Sequence, residues 1–304
     1  MALTETIRGL RTMQVVVTVE GMRRLRSQVP GKVGFVPTMG YLHEGHLSLV
    51  RRARSENDVV VASIFVNRMQ FGPGEDYDKY PRDTQRDLAL LQQENVDIVF
   101  IPSAPEMYPE GFSTYVHLNG VSEVLEGACR PGHFRGVATV VLKLLNTVQP
   151  DRAYFGQKDA QQIVVIRKMV NDLNMGVEVV ACPTIRETGG LAMSSRNVYL
   201  SPDERRAALI LFRCLSLVER LHRQGQREAS KLLARLELLI GREPLAKEDY
   251  ISVADPQTLQ ELDVIDGPAL ISLAIRIGET RLIDNITVGE KRPPIVLDAA
   301  PAGK

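Results

Sequence analysis

The sequence predicts an α/β protein, a doubly wound parallel sheet followed by a smaller α+β domain. Three observations predict it. Over the first 185 or so residues, short strand-like runs alternate with helix-like ones; those strands are apolar on both faces; and after about Glu187 the alternation stops. Alternation calls for parallel strands joined by right-handed helical crossovers. A strand apolar on both faces is one covered by helices on both sides.

In chain order, the predicted strands are 15–19, 33–36, 59–65, 98–101, 153–155 and 177–182, with helices at 45–56, 84–94, 137–148 and 159–171. The run Val59-Val60-Val61-Ala62-Ser63-Ile64-Phe65 shows the two-sided apolar pattern best. Ser201-Pro202-Asp203-Glu204 then opens a long helix to about His222, with a capping residue, a proline at the first helical position and acids in the first turn. A second helix is predicted at 228–240 and antiparallel strands at 249–253, 269–277 and 283–288. The expected division is therefore a doubly wound domain over 1–186 and a smaller α+β domain over 187–304, with a frayed tail at 293–304.

Composition narrows the function classes. Lys plus Arg and Asp plus Glu both total 37, so the formal charge is zero and nothing demands a nucleic-acid or membrane partner. The apolar run at 15–19 is too short for a signal peptide, and no run approaches the ~20 apolar residues of a membrane span. A soluble, cytoplasmic protein is expected. Cys129, Cys182 and Cys214 are odd in number and widely spaced, which argues for free thiols rather than a disulfide framework or a zinc cage.

The most informative stretch is Pro37-Thr38-Met39-Gly40-Tyr41-Leu42-His43-Glu44-Gly45-His46, which joins a strand to a helix and sets two imidazoles at the turn. A helix N-terminus offers unpaired N–H groups and partial positive charge to an anion. Imidazoles there can donate hydrogen bonds that strengthen as charge develops on a phosphate chain. That is adenylyl-transfer chemistry. Histidines three apart also suit a metal pair or two helix caps, and by themselves these readings stay open.

Further motifs fall at strand ends, where open α/β sheets bind ligands. Asn67 and Gln70 follow the third strand and suit a small hydroxy acid; an ordinary solvated loop is the plain alternative. Arg130-Pro131-Gly132-His133-Phe134-Arg135-Gly136 precedes a helix and combines anion-binding side chains with glycines, or simply caps it. Gly156-Gln157-Lys158-Asp159 repeats the strand, glycine, helix order, with Lys158 suited to neutralise phosphate and Asp159 to cap the helix or help hold magnesium. Met193-Ser194-Ser195-Arg196 offers hydroxyls, amides and a guanidinium as a triphosphate clamp, or is a serine-rich hinge.

Together these segments, with Phe65-Val66-Asn67, Tyr80-Pro81-Arg82, Glu126-Gly127 and Arg281-Leu282-Ile283-Asp284-Asn285, resemble the pantothenate synthetase family of the nucleotidylyltransferase and class I synthetase superfamily, over about residues 15–290. The resemblance implies ATP-dependent condensation of (R)-pantoate with β-alanine through pantoyl adenylate, by a homodimer using magnesium, with residues 1–186 a Rossmann-like nucleotide- and pantoate-binding domain and 187–304 a C-terminal lid domain. It implies ATP contacts from Met39, Gly40, Tyr41, Leu42, His43, Glu44, Gly45 and His46, and from Gly156, Gln157, Lys158, Asp159, Ile185, Met193, Ser194, Ser195 and Arg196. His46 is expected as proton donor beside His43, with Lys158, Ser194, Ser195 and Arg196 completing the catalytic set. Gln70 and Gln162 would hold pantoate, Pro37, Asn67, Arg130 and His133 would complete the substrate site, and Asp87 is the candidate magnesium ligand.

Three positions depart from the family pattern. Arg68 replaces a proline beside the expected pantoate pocket, Ala160 replaces an aromatic, and Thr188-Gly189-Gly190 replaces a charged residue and Asp-Gly. These predict, in turn, an altered pocket or loop, thinner packing and a more flexible clamp. Two alternatives follow: a nucleotidylyltransferase acting on another small acceptor, and a catalytically weak nucleotide-binding protein.

Overall fold

The computed structural model describes residues 13–289; the expected frayed tail at 293–304 lies outside them. In chain order the elements are β1 (Gln14–Val16), α1 (Val19–Gln28), β2 (Val33–Thr38), α2 (Glu44–Glu56), β3 (Val59–Ile64), α3 (Thr84–Gln93), β4 (Ile98–Phe100), α4 (Ala104–Met107), α5 (Glu126–Cys129), α6 (His133–Val148), β5 (Arg152–Gly156), α7 (Ala160–Asp172) and β6 (Glu178–Cys182). There follow α8 (Pro202–Ala208), α9 (Ile210–Arg223), α10 (Ala229–Ile240), β7 (Ala246–Ala254), β8 (Ala269–Ile277) and β9 (Thr280–Val288). Short 3-10 turns cover Arg68–Gln70, Gln157–Asp159 and Ser195–Tyr199.

The chain forms two compact units. The first holds the described residues up to His117 with Gly132–Phe155 and Ile166–Cys182; the second holds Leu118–Pro131, Gly156–Val165 and the described residues from Pro183.

In the first unit six strands lie in the order β1-β4-β3-β2-β5-β6, with β1–β4, β4–β3, β3–β2 and β2–β5 all parallel. Order runs one way from β2 to β4 and the other way from β5 to β6, so the carboxyl ends of β2 and β5 flank a topological switch point. Every residue of β3 is buried, as its two-sided apolar sequence requires. α6 buries Phe134, Val137, Val141, Leu144, Leu145 and Val148. Truncating a side chain such as Leu144 to alanine would cost ~2–5 kcal/mol.

In the second unit, β7, β8 and β9 form an antiparallel sheet packed beneath α9 and α10 around Leu211, Cys214, Leu215, Leu232, Leu236, Ile271 and Leu273.

The predicted fold class is present, and the differences are local. The strand expected at 15–19 ends at Val16, because the Thr18 hydroxyl accepts from the Gly21 N–H at 3.1 Å and starts α1. α1 is largely exposed, and its apolar stripe is only Val19, Met22 and Leu25, too narrow to announce it in the sequence. α6 starts at His133, one turn earlier than expected, from left-handed Gly132. The long helix after Ser201 breaks at Leu209, whose N–H bonds the Arg206 carbonyl three residues back and tightens the turn. Among the described residues no helix is long and apolar enough to cross a membrane.

Candidate active site

The loop after β2 is shaped by two successive positive-φ residues, Gly40 (φ 84) and Tyr41 (φ 51). Gly40 is required here: a Cβ would stand 2.9 Å from Ile64 Cγ2 and 3.0 Å from Asp87 Oδ2. The Tyr41 conformation is held by Asp87, whose two oxygens accept the Tyr41 and Leu42 N–H groups at 2.7 Å each. Asp87 is 1% exposed. Burial raises its pKa, and the two amide bonds work against that rise.

The loop delivers His43 to the N-cap of α2 and His46 to its third position. Their ring centroids are 4.1 Å apart. The His43 N–H donates to His46 Nδ1 at 3.3 Å. A ring nitrogen that accepts carries no proton, so the neutral form of His46 bears its proton on Nε2.

After β3, the 3-10 turn Arg68–Gln70 sits against α6. Asn67, 1% exposed, uses its full hydrogen-bonding capacity: its amide donates to Gln70 Oε1 (3.0 Å) and the Gly136 carbonyl (3.1 Å), and its oxygen accepts from Met69 N (3.3 Å) and Tyr108 Oη (2.8 Å). Asn67 therefore holds the Gln70 side chain in place. Gln70 Nε2 reaches Met39 Sδ at 3.2 Å, and His133 Nδ1 donates to the Gln70 carbonyl at 2.8 Å. Gly136 makes the approach possible, since a Cβ there would lie 2.2 Å from the Met69 carbonyl oxygen. Arg68 points outward: its side chain is 62% exposed, stacked 4.6 Å over the Tyr77 ring and 3.9 Å from Asp78. A cavity of about 220 Å³ borders Met39, Gly40, Tyr41, Arg82 and Asp87.

The second unit carries the other motifs. Gln157–Asp159 forms a 3-10 turn ahead of α7, with Lys158 Nζ 3.5 Å from Asp159 Oδ1. Asn285 of β9 donates to both the Gln157 and Lys158 carbonyls, at 2.9 and 2.8 Å. Gln161 is buried and tied to 121–126, donating to the Val121 and Val124 carbonyls and accepting from Glu126 N, whereas Gln162 is half-exposed. Ala160 is buried at the start of α7.

Ile185 and Met193 face each other across a tight hairpin, Met193 N donating to the Ile185 carbonyl at 2.9 Å. Its turn is ordered by bonds from Gly190 N to the Glu187 carbonyl and from Arg186 to the Gly190 carbonyl. Gly190 has φ 95, and a Cβ would strike the Phe212 ring, so the glycine expected to loosen this segment is the residue its packing demands. Ser194 caps the 3-10 turn Ser195–Tyr199, accepting from Arg196 N at 3.3 Å.

A network that the residue spacing did not reveal surrounds Glu126. Its carboxylate accepts from Arg281 Nη1 (2.6 Å) and Nη2 (2.8 Å) and from Tyr250 Oη (2.9 Å), with Arg130 at 3.9 Å. A bulge between Glu248 and Tyr250 leaves Asp249 able to accept from Arg281 Nε at 2.7 Å. Burial disfavours the Arg281 charge, but the two carboxylates outweigh it and raise the pKa. Arg186 and Asp284 make a second buried pair, with bidentate contacts of 2.5 and 2.9 Å.

Of the predicted site residues, the structure groups Pro37, Met39 to His46, Asn67, Gln70, Asp87 and His133 in the first unit. Arg130, Gly156 to Asp159, Gln162, Ile185 and Met193 to Arg196 belong to the second, so Arg130 and His133, neighbours in one motif, fall in different units. Each Asp87 oxygen accepts one backbone amide, and among the described residues no group of three His, Cys, Asp or Glu side chains could hold a metal ion.

A parallel sheet with paired histidines at the helix N-terminus beside its switch point defines an α/β protein of the nucleotidyl-transfer class. The match of residues 11–287 to the model for pantoate-beta-alanine ligase narrows the class to one family. The chain belongs to the pantoate-beta-alanine ligase family. It is 60% identical over 273 residues to the pantothenate synthetase of Roseiflexus castenholzii, covering 90% of this chain and 98% of that one. The crystal structure of pantothenate synthetase from Thermus thermophilus superposes with a TM-score of 0.87 at 52% identity, covering 90% and 99%. That of the pantoate-beta-alanine ligase of Francisella tularensis, complexed with beta-gamma ATP and beta-alanine, gives 0.75 at 36% identity, covering 90% and 97%.

Proposed function

We propose that this chain condenses (R)-pantoate with β-alanine at the expense of ATP, yielding pantothenate, AMP and pyrophosphate. The observation that carries this reading is a family match across residues 11–287 in a chain that keeps the His43–His46 pair at the α2 N-terminus. In the first half-reaction a pantoate carboxylate oxygen attacks the α-phosphorus and pyrophosphate leaves. In the second, the β-alanine amine attacks the acyl carbon of pantoyl adenylate, AMP departs, and the amine loses a proton.

Each role has a physical basis. The α2 N-terminus and the His46 Nε2–H meet charge that grows on the phosphate chain, a contribution largest in the transition state. His43 orients His46 through its backbone N–H. Met39 to His46, Gly156 to Asp159, Ile185 and Met193 to Arg196 are the proposed ATP contacts, with Lys158, Ser194, Ser195 and Arg196 stabilising the leaving pyrophosphate. Gln70 and Gln162 present donors and acceptors to pantoate, with Pro37, Arg130 and His133 nearby in function and Asn67 holding Gln70 in place. Magnesium, in this reading, arrives on the ATP phosphates, keeping much of its water, instead of occupying a protein cage. The protein acts as a cytoplasmic homodimer.

The test is pantoate-dependent exchange of labelled pyrophosphate into ATP with magnesium present, without and then with β-alanine. Exchange without β-alanine, followed by pantothenate and AMP on its addition, is expected. ATP binding with no pantoate-dependent exchange would overturn the reading in favour of a nucleotide-binding protein; adenylyl transfer to a different acceptor would favour a nucleotidylyltransferase.

A further inference from the structure

We infer that Asn285 is a positioning residue for the nucleotide turn, acting through the backbone of Lys158. The inference rests on the proposed role of Lys158 as a phosphate contact. Asn285 is 6% exposed and lies on β9, the edge of the antiparallel sheet, opposite Ser272 of β8. Its two amide hydrogens go to consecutive carbonyls, Gln157 at 2.9 Å and Lys158 at 2.8 Å, and its oxygen lies 3.4 Å from Gln157 Nε2. One side chain thus supplies the donors that a neighbouring strand would give to a regular segment.

The adjacent residue works on the other face. Side chains alternate along a strand, and Asp284 shares its face with Leu282, Ile286 and Val288, which enter the hydrophobic core. There it binds Arg186, next to Ile185. The dipeptide Asp284-Asn285 therefore fastens two proposed nucleotide segments, one on each side of a strand whose own backbone is held by nine register pairs with β8.

Why this matters for chemistry follows from the lysine itself. Its ammonium rides on a flexible four-carbon stem, so reach and direction are set by where the Cα is held. A turn of three residues has few internal bonds to hold it. Freed from Asn285, the turn would spread Lys158 over many positions, and transition-state stabilisation falls steeply with misplacement.

Asn285→Asp is the sharpest variant, replacing the donating nitrogen with an oxygen that faces two carbonyl oxygens. Asn285→Ala removes the donors without adding charge, and is used if the aspartate variant does not fold. Pyrophosphate exchange kcat should fall by ~10-fold or more with the KM for pantoate changed by less than ~2-fold, and a double-mutant cycle with Lys158→Ala reads the coupling. Expected is that Lys158→Ala alone slows exchange, and that adding the Asn285 variant slows it no more than ~2-fold further. Multiplicative losses would overturn the inference, as would a fall in thermal midpoint with kcat unchanged. Wild-type exchange in Lys158→Ala would instead remove the lysine from the reaction, and the inference with it.

Discussion

The carboxylate of Asp87 on α3 lies 2.7 Å from the backbone nitrogen of Tyr41, a residue 46 positions earlier held at positive φ. A second oxygen takes the Leu42 N–H at the same distance. The loop that aims His43 and His46 is thus clamped by a buried acid from a distant helix.

Asp87→Asn should weaken that clamp, since the amide nitrogen must face a backbone N–H. A loss of ~1–3 kcal/mol in stability and of ~10-fold or more in exchange rate is expected. The discriminating measurement is a magnesium titration of exchange: an unchanged midpoint supports a loop clamp, and a midpoint moved upward by ~10-fold would restore Asp87 as a metal ligand.

His46→Ala should lower exchange by ~10²-fold or more, because the imidazole acts where charge develops. Exchange near the wild-type rate at saturating substrates would remove it from that role.

Arg68→Pro should leave turnover similar or raise it. The guanidinium points away onto Tyr77, and proline suits the first position of the 3-10 turn. A large loss in kcat/KM for pantoate would mean that the arginine contacts substrate.

Asp284→Asn should destabilise the protein by ~3–5 kcal/mol, because Arg186 would be left buried without its carboxylate. Replacing both with apolar residues, as in Arg186→Met with Asp284→Leu, should recover much of that loss in a urea melt. Equal midpoints for the single and double variants would refute this account.

Thiol chemistry separates the three cysteines. Burial raises Cys182 to about 11 and Cys214 to about 12, while Cys129 is exposed. The thiolate is the nucleophile, so one thiol per native chain should react rapidly with a disulfide reagent at neutral pH, and three after unfolding. Both buried groups have folded values above the ordinary thiol value of 9.0, so their contribution to stability is present below pH 9 and lost as pH rises through 11 to 12. Rapid reaction of all three in the native protein would contradict the packing.

Much of this was legible in the residue order, and for identifiable reasons. β3 could be read because Val59 to Ile64 are apolar whichever way they point, and α8 because Ser201 and Glu204 cap each other within one turn. α1 escaped notice because its apolar stripe is only three residues, Val19, Met22 and Leu25, and the break at Leu209 because a tightened turn changes no side-chain pattern. The segments that carry ligand-binding residue types were also legible, since strand, glycine and helix recur at their turns.

What those residues do was decided at long range. The residue order showed Asn67 only as an amide at a strand end, and its partners Tyr108 and Gly136 come from distant segments; Asp87 showed only as an acid, and its hold on the Tyr41 and Leu42 amides is set by the fold. Asn285 acquires its part only by meeting a turn 128 positions away. The alternation of elements, the apolar faces and the histidine pair at a helix start could be read from residue order, because each is a property of neighbours within a few residues. Which polar groups pair with which was settled by long-range packing. A buried donor or acceptor must find a partner, and that partner is supplied by whichever distant segment the fold brings within about 3 Å.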